Sequence, residues 1–120
     1  MGPDPVPLKI GDPDWTGSFM RVLLVDEKPG CYAWVVIRTG QIVRVGRSRN
    51  VRRRLMGYLA DRSRPVRAMW DTIRREYGGT LDVLGLKVWY TRWHIQLEKM
   101  LLERWCPRFN FVGGAMRHGR

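Results

Sequence analysis

The apolar positions fall into runs of differing period. Met1 to Gly17, rich in Pro, Asp and Gly, reads as an irregular arm. Phe19 to Val25 (FMRVLLV) is predicted as a strand, either added at a sheet edge or supporting the core, and Asp26 to Gly30 as a turn. Cys31 to Arg38 (CYAWVVIR) is β-branched and aromatic, Thr39-Gly40 is a tight turn, and Gln41 to Val45 returns, so these residues predict a β-hairpin. Gly46 to Asn50 is read as breaking the strand, after which the period changes. Val51, Leu55, Tyr58 and Leu59 recur at helical spacing over Val51 to Ala60, with Asn50 as the expected N-cap. A second helix is predicted after Ser63, with Pro65 near its start, a stripe of Val66, Met69, Trp70, Ile73 and Tyr77, and Gly78-Gly79 at its end. Leu81 to Tyr90 contains a third main strand, and Trp93 to Trp105 forms a third helix stopped by Pro107. The order is β-β-α-α-β-α, with an optional extra N-terminal strand. This is an α/β (α+β layered) arrangement whose small, mostly antiparallel sheet is flanked by helices. The expected organisation is an arm over residues 1–29, one domain over 30–112 and a flexible basic tail over 113–120.

Within this frame the third helix carries an anomaly. At about 100° per residue from Trp93, its apolar side chains spread over roughly 0° to 200°. Glu98 falls near roughly 140°, among them. Lys99, Glu103 and Gln96 lie on the polar side. A carboxylate among apolar neighbours must be paired, protonated or bound to a cation. An internal salt bridge to an Arg answers the pattern as well as a metal does. On the first helix Arg54 and Tyr58 are one turn apart at the edge of the apolar arc, whereas Arg52 and Arg53 point more toward solvent. A guanidinium fixed beside a phenol suits a phosphate whose charge grows in a transition state. It is equally compatible with a core Tyr58 and a snorkelling Arg54.

Charge narrows the partners. The formal net charge is +11, and it is unevenly spread. Residues 1–30 hold three basic and five acidic residues, and the other ninety hold 19 basic and six acidic. Six Arg (Arg44, Arg47, Arg49, Arg52, Arg53 and Arg54) fall within eleven residues. Composition alone points to a polyanion, and this density fits a nucleic-acid path. The turn Gly46-Arg47-Ser48-Arg49-Asn50 joins a strand to a helix start, where backbone amides can hold a phosphate. No apolar run approaches a membrane span, so no membrane partner is expected. Cys31 and Cys106 are too few for a disulfide scaffold and read as two small buried residues in a reducing cytoplasm. His94 is isolated, so a zinc site is not expected.

Several of these residues also match short motifs in order. Gly30-Cys31-Tyr32 is followed by Arg44-Val45-Gly46. The match continues with Gly46-x-Ser48-x-Asn50-Val51-x-x-Arg54-Leu55 and Tyr58, then Leu97-Glu98-x-x-Leu101-Leu102 and Pro107-x-x-Asn110. Together they resemble the GIY-YIG nuclease family over residues 30–112. The resemblance implies a divalent-metal-dependent endonuclease acting on DNA, leaving a 5′-phosphate and a 3′-hydroxyl. It implies that Glu98 holds one Mg²⁺ or Mn²⁺, that Arg54 clamps the phosphate, and that Tyr32 orients or deprotonates the attacking water with support from Tyr58. Gly30, Gly46 and Asn110 would support the site, while Arg44, Arg47, Ser48, Arg49, Arg52 and Arg53 would line the nucleic acid. Cys31 stands where the family has Ile or Val. Arg44 stands where the second motif has Tyr, and a donor-only guanidinium cannot copy a phenol. That departure leaves open a binding module that kept the fold and lost the chemistry. A homodimer or a targeting partner would supply specificity, for which the chain shows no source.

Overall fold

The computed structural model describes residues 6–112 and 115–118. Four strands form one antiparallel sheet: β1 (Trp15–Ser18), β2 (Gly30–Val36), β3 (Ile42–Ser48) and β4 (Leu84–Tyr90), in the order β1-β4-β2-β3. Helices α1 (Val51–Ala60) and α2 (Arg64–Tyr77) follow β3, and α3 (His94–Trp105) follows β4. Phe109–Val112 (β5) pairs antiparallel with Ala115–His118 (β6). The loose tail expected after Gly113 thus contains a paired strand, and its residues 113, 114, 119 and 120 lie outside the described set.

β2 is buried almost throughout because it is central and both its faces are covered. On one face Tyr32, Trp34 and Val36 pack with Leu55 and Tyr58 of α1 and with Met69 and Ile73 of α2. On the other, Cys31 and Ala33 pack with Leu97 and Leu101 of α3. Alternation along β2 therefore assigns successive side chains to two separate cores.

Two local expectations change. The strand predicted over Phe19 to Val25 is instead a pair of 3₁₀ turns over Phe19–Leu24, kinked at Arg21, and an edge strand lies just before them at Trp15–Ser18, inside the supposed arm. The run buries Phe19, Val22 and Val25 and exposes Met20, Leu23 and Leu24. That is a period of three, not two, and it matches the 3₁₀ repeat. Ser18 caps the turn by accepting from the Met20 amide at 3.1 Å. The second change is that β3 runs on through Ser48, because Gly46, Arg47 and Ser48 stay paired with Tyr32, Cys31 and Gly30.

The helices begin and end as their caps dictate. Asn50 accepts from the Arg53 amide at 3.0 Å, and Gly78 closes α2 in the left-handed region. Cys106 takes that conformation after α3, with φ 41°, and is exposed rather than buried. Among the described residues no helix is long and apolar enough to cross a membrane.

Candidate active site

The site grows from the contact between β2, β3 and α1. Tyr32 is 1% exposed, and its hydroxyl lies 3.2 Å from that of Tyr58. Gly46 is paired opposite Tyr32, and a Cβ there would sit 2.2 Å from the Tyr32 hydroxyl oxygen. The tyrosine therefore requires the glycine. Gly30 is fixed by backbone instead, since a Cβ on it would lie 2.1 Å from the Trp89 carbonyl oxygen.

Arg44 lies one pleat along β3, opposite Trp34 and on the same face as Tyr32. It is only 4% exposed. Nη2 donates to the Tyr58 hydroxyl and Nη1 to the Phe109 carbonyl, and the guanidinium stands 4.6 Å from the Tyr58 ring centroid. The expectation that Arg44 lines nucleic acid is therefore corrected. Its fork is committed inside the fold, where a phosphate backbone cannot reach it.

Arg54 is exposed, with its guanidinium 5.1 Å from the Tyr58 ring centroid. Both residues line an open pocket of about 600 Å³, together with Ser48, Arg53, Asp61 and Ser63. Tyr32 lies behind this wall. The two phenols differ accordingly. Burial, and then the proximity of Tyr58, pushes the Tyr32 phenol far above its ordinary range. Burial also acts to raise Tyr58, but Arg44, the Tyr32 hydroxyl and Arg54 together outweigh it and bring that phenol below its ordinary value.

Glu98 is on the opposite face of the sheet. The apolar arc of α3 is narrower than its spacing suggests, because Ile95 is 58% exposed while Leu97 and Leu101 carry the burial. Glu98 thus falls at the margin of the arc. Its side chain is 25% exposed and pairs with Arg47 at 3.3 Å, so it is a half-buried, paired carboxylate rather than an enclosed one. Arg47 is next to Gly46 on β3 but points to the α3 side. β3 is an edge strand, so Glu98 from one face and Arg54 with Tyr58 from the other flank its Gly46–Ser48 end. Asn110 clamps the same strand: its side chain accepts from the Val45 amide at 3.1 Å and donates to the Val45 carbonyl at 2.9 Å.

The remaining basic candidates divide. Arg49 and Arg53 are exposed. Arg52 is half-buried at the surface, held by Glu27 at 2.8 Å and by the Leu23 carbonyl. Ser48 is used within the turn, donating to the Asn50 carbonyl and accepting from its amide. Spacing did not single out Glu27, which carries an acidic charge from the N-terminal segment to the start of α1. Trp15–Ser18 of that segment pairs with β4, and just before it Asp14 accepts from the Tyr90 amide, at the sheet edge remote from β3.

Among the described residues no three His, Cys, Asp or Glu side chains gather as a metal cage. A single carboxylate at an open edge still fits Mg²⁺, which keeps several waters and needs one or two carboxylates plus substrate oxygens.

The arrangement of strands, helices and edge groups has counterparts among solved structures. A point mutant of the GIY-YIG N-terminal endonuclease domain of UvrC from Thermotoga maritima, bound to its catalytic divalent cation, superposes with a TM-score of 0.57 at 22% identity, covering 78% of this chain and 93% of that one. The magnesium-bound form of the same domain gives a TM-score of 0.57 at 23% identity over 77% of this chain and 93% of that one. This chain has the GIY-YIG fold. A further point mutant of the UvrC domain is 25% identical, with a TM-score of 0.54 over 77% of this chain and 93% of that one. No family model matches the chain, and no curated protein matches it. The GIY-YIG fold places the two sequence motifs on β2 and β3, side by side through the Tyr32–Gly46 pair.

Proposed function

We propose that the protein is a divalent-metal-dependent endonuclease that hydrolyses phosphodiester bonds of DNA. The observation that carries this reading is Arg54 set over Tyr58 in the wall of an open pocket, at the end of an edge strand whose other side bears Glu98. A phosphodiester lying across the Gly46–Ser48 end of β3 meets a guanidinium and a phenol from α1 and a carboxylate from α3. Arg54 clamps the phosphate, where a fixed cation stabilises charge that grows as the phosphorus is attacked. Glu98 holds one Mg²⁺ or Mn²⁺, which when bound supplies Lewis-acid stabilisation of the phosphate and the leaving oxygen. Arg47, with a side chain 42% exposed, is free to swing off Glu98 when that carboxylate takes a cation. The phenol pair Tyr32–Tyr58 handles the proton of the attacking water. The water oxygen bonds to phosphorus as the bond to the 3′ oxygen breaks, leaving a 5′-phosphate and a 3′-hydroxyl. Asn110 keeps β3 in register beneath the site, and Arg49 and Arg53 contact flanking phosphates. One such site cuts one strand, so a double-strand break requires a second copy or a second visit.

Plasmid nicking by wild type beside Glu98→Ala and Arg54→Ala, with Mg²⁺, Mn²⁺ or EDTA, tests the proposal. Metal-dependent nicking is expected to fall by about 100-fold or more in each variant while the fold is retained. Cleavage that survives Glu98→Ala with unchanged metal dependence sinks it. The burial of Arg44 where the second motif has a tyrosine favours one alternative, a binding module without chemistry. That alternative predicts steeply salt-dependent DNA binding and no cutting in any metal.

A further inference from the structure

The fate of Arg44 deepens that reading and rests on it. We propose that Arg44 is a positioning residue that makes Tyr58, and not Tyr32, the proton acceptor for the attacking water. A guanidinium only donates, so the Tyr58 oxygen must accept from Arg44 Nη2. The same oxygen lies 3.2 Å from the Tyr32 hydroxyl, and either phenol can be the donor in that bond. When Tyr58 gives up its proton, its oxygen accepts from both Arg44 and Tyr32, and Tyr32 is locked as the neutral donor. Removing the Tyr32 proton instead would put the charge on the deeper phenol, 1% exposed and behind the pocket wall.

Access to the pocket also separates the two phenols. Tyr58 lines the pocket beside Arg54, where the phosphate is proposed to sit, and Tyr32 does not. The charged and titratable groups around Tyr58 are Tyr32 from β2, Arg44 from β3 and Arg54 from its own helix, with Arg53 and Asp61 on the pocket wall. From α2, Trp70 Nε1 donates to the Tyr58 carbonyl and fixes the backbone. The opposite displacements of the two phenols, Tyr58 downward and Tyr32 upward, agree with this division. Arg44 is held from behind by the Phe109 carbonyl, so its position does not depend on substrate. In the step itself, Tyr58 phenolate takes one proton from water and becomes phenol. The water oxygen forms its bond to phosphorus, and the electron pair of the cleaved P–O bond leaves with the departing oxygen.

The test joins a measurement that does not need cleavage to one that does. Tyrosinate absorbance is titrated in wild type, Tyr58→Phe, Tyr32→Phe, Arg44→Gln and Arg44→Lys, and the pH profile of metal-dependent nicking is recorded for the same set. One tyrosine of the wild type is expected to ionise below the ordinary value of about 10. That titration disappears in Tyr58→Phe and moves to higher pH in Arg44→Gln. Nicking requires the phenolate, so its rate rises with pH through the Tyr58 titration. Arg44→Gln therefore loses on the order of tenfold in rate at neutral pH and recovers it at alkaline pH, which purely structural damage does not. Arg44→Lys keeps the charge and restores part of the rate, and it carries the test if Arg44→Gln does not fold. Tyr58→Phe loses about 100-fold or more at every pH. A low titration that persists in Tyr58→Phe, or a rising limb left unmoved in both Arg44 variants, overturns the proposal. If the wild type does not cut although the titrations behave as expected, the nuclease reading fails. The acceptor role then falls with it, while the Arg44–Tyr58 coupling stands.

Discussion

Arg44 and Arg47 are three residues apart on one strand and have opposite fates. Arg44 points to the α1 face, is 4% exposed and spends its fork on Tyr58 and the Phe109 carbonyl. Arg47 points to the α3 face, has a side chain 42% exposed and meets Glu98 at 3.3 Å. The first contact is enclosed, and no water can take the place of the guanidinium between its partners without opening the fold. The second is open to water, where an ion pair is screened and weak. The two faces of the sheet thus do different work at the same edge. One presents a rigid cation–phenol unit, and the other a carboxylate whose partner can be exchanged.

The sharpest way to break this contrast is to truncate each arginine and compare denaturant midpoints. Arg44→Ala removes a buried donor from the Tyr58 hydroxyl and from the Phe109 carbonyl and leaves a void, so a loss of about 2–4 kcal/mol is expected. Arg47→Ala is expected to change stability by no more than about 0.5 kcal/mol. Equal losses would show that the two faces are not distinguished in this way.

A smaller effect probes the packing that holds the phenol pair. Gly46→Ala places a methyl 2.2 Å from the Tyr32 oxygen, in a wall with little room to relax. It should cost about 1–3 kcal/mol in thermal or chemical unfolding, and Tyr32→Phe should relieve part of that cost in the double variant. Additive effects would mean that the contact is not the source of the strain.

The smallest expected effect is a labelling difference with no change in fold. Cys31 sits beneath the Glu98 side of the sheet, where burial, and then the Glu98 charge, pushes its thiol up to about 12. Its Sγ is also hydrogen-bonded to the His94 carbonyl at 3.1 Å. Cys106 is exposed. At mildly alkaline pH only Cys106 should react with a thiol reagent in the native protein, and both should react after denaturation. Fast native labelling of Cys31 would indicate that the α3 face opens readily.

Much of this was legible from residue order. Helical spacing defined α1, and the structure returns it over Val51 to Ala60 with Asn50 as its cap. β-branched and aromatic runs marked the hairpin and β4, and the ordered motifs carried the resemblance to the GIY-YIG family that the fold now shares. The failures have specific causes. Phe19 to Val25 predicts a strand because six of its seven residues are apolar, but only burial reveals that every third one faces inward. Spacing draws Glu98 into the interior because it lies between Trp105 and Leu102 on the helix, but those two are only half-buried and Ile95 beyond them faces solvent.

The sequence by itself determined local periods, caps and the succession of elements, since these depend on neighbours within a few residues along the chain. It also determined that Arg54 and Tyr58 would be companions, through helix spacing, whereas the pairing of Tyr32 with Gly46 came only with the extension of β3. Only the tertiary structure decided which arginines serve the surface and which serve the interior. Arg44 is separated from Phe109 by 65 residues, and Arg47 from Glu98 by 51. Whether a charged side chain is enclosed depends on what packs over it, and no local pattern encodes that.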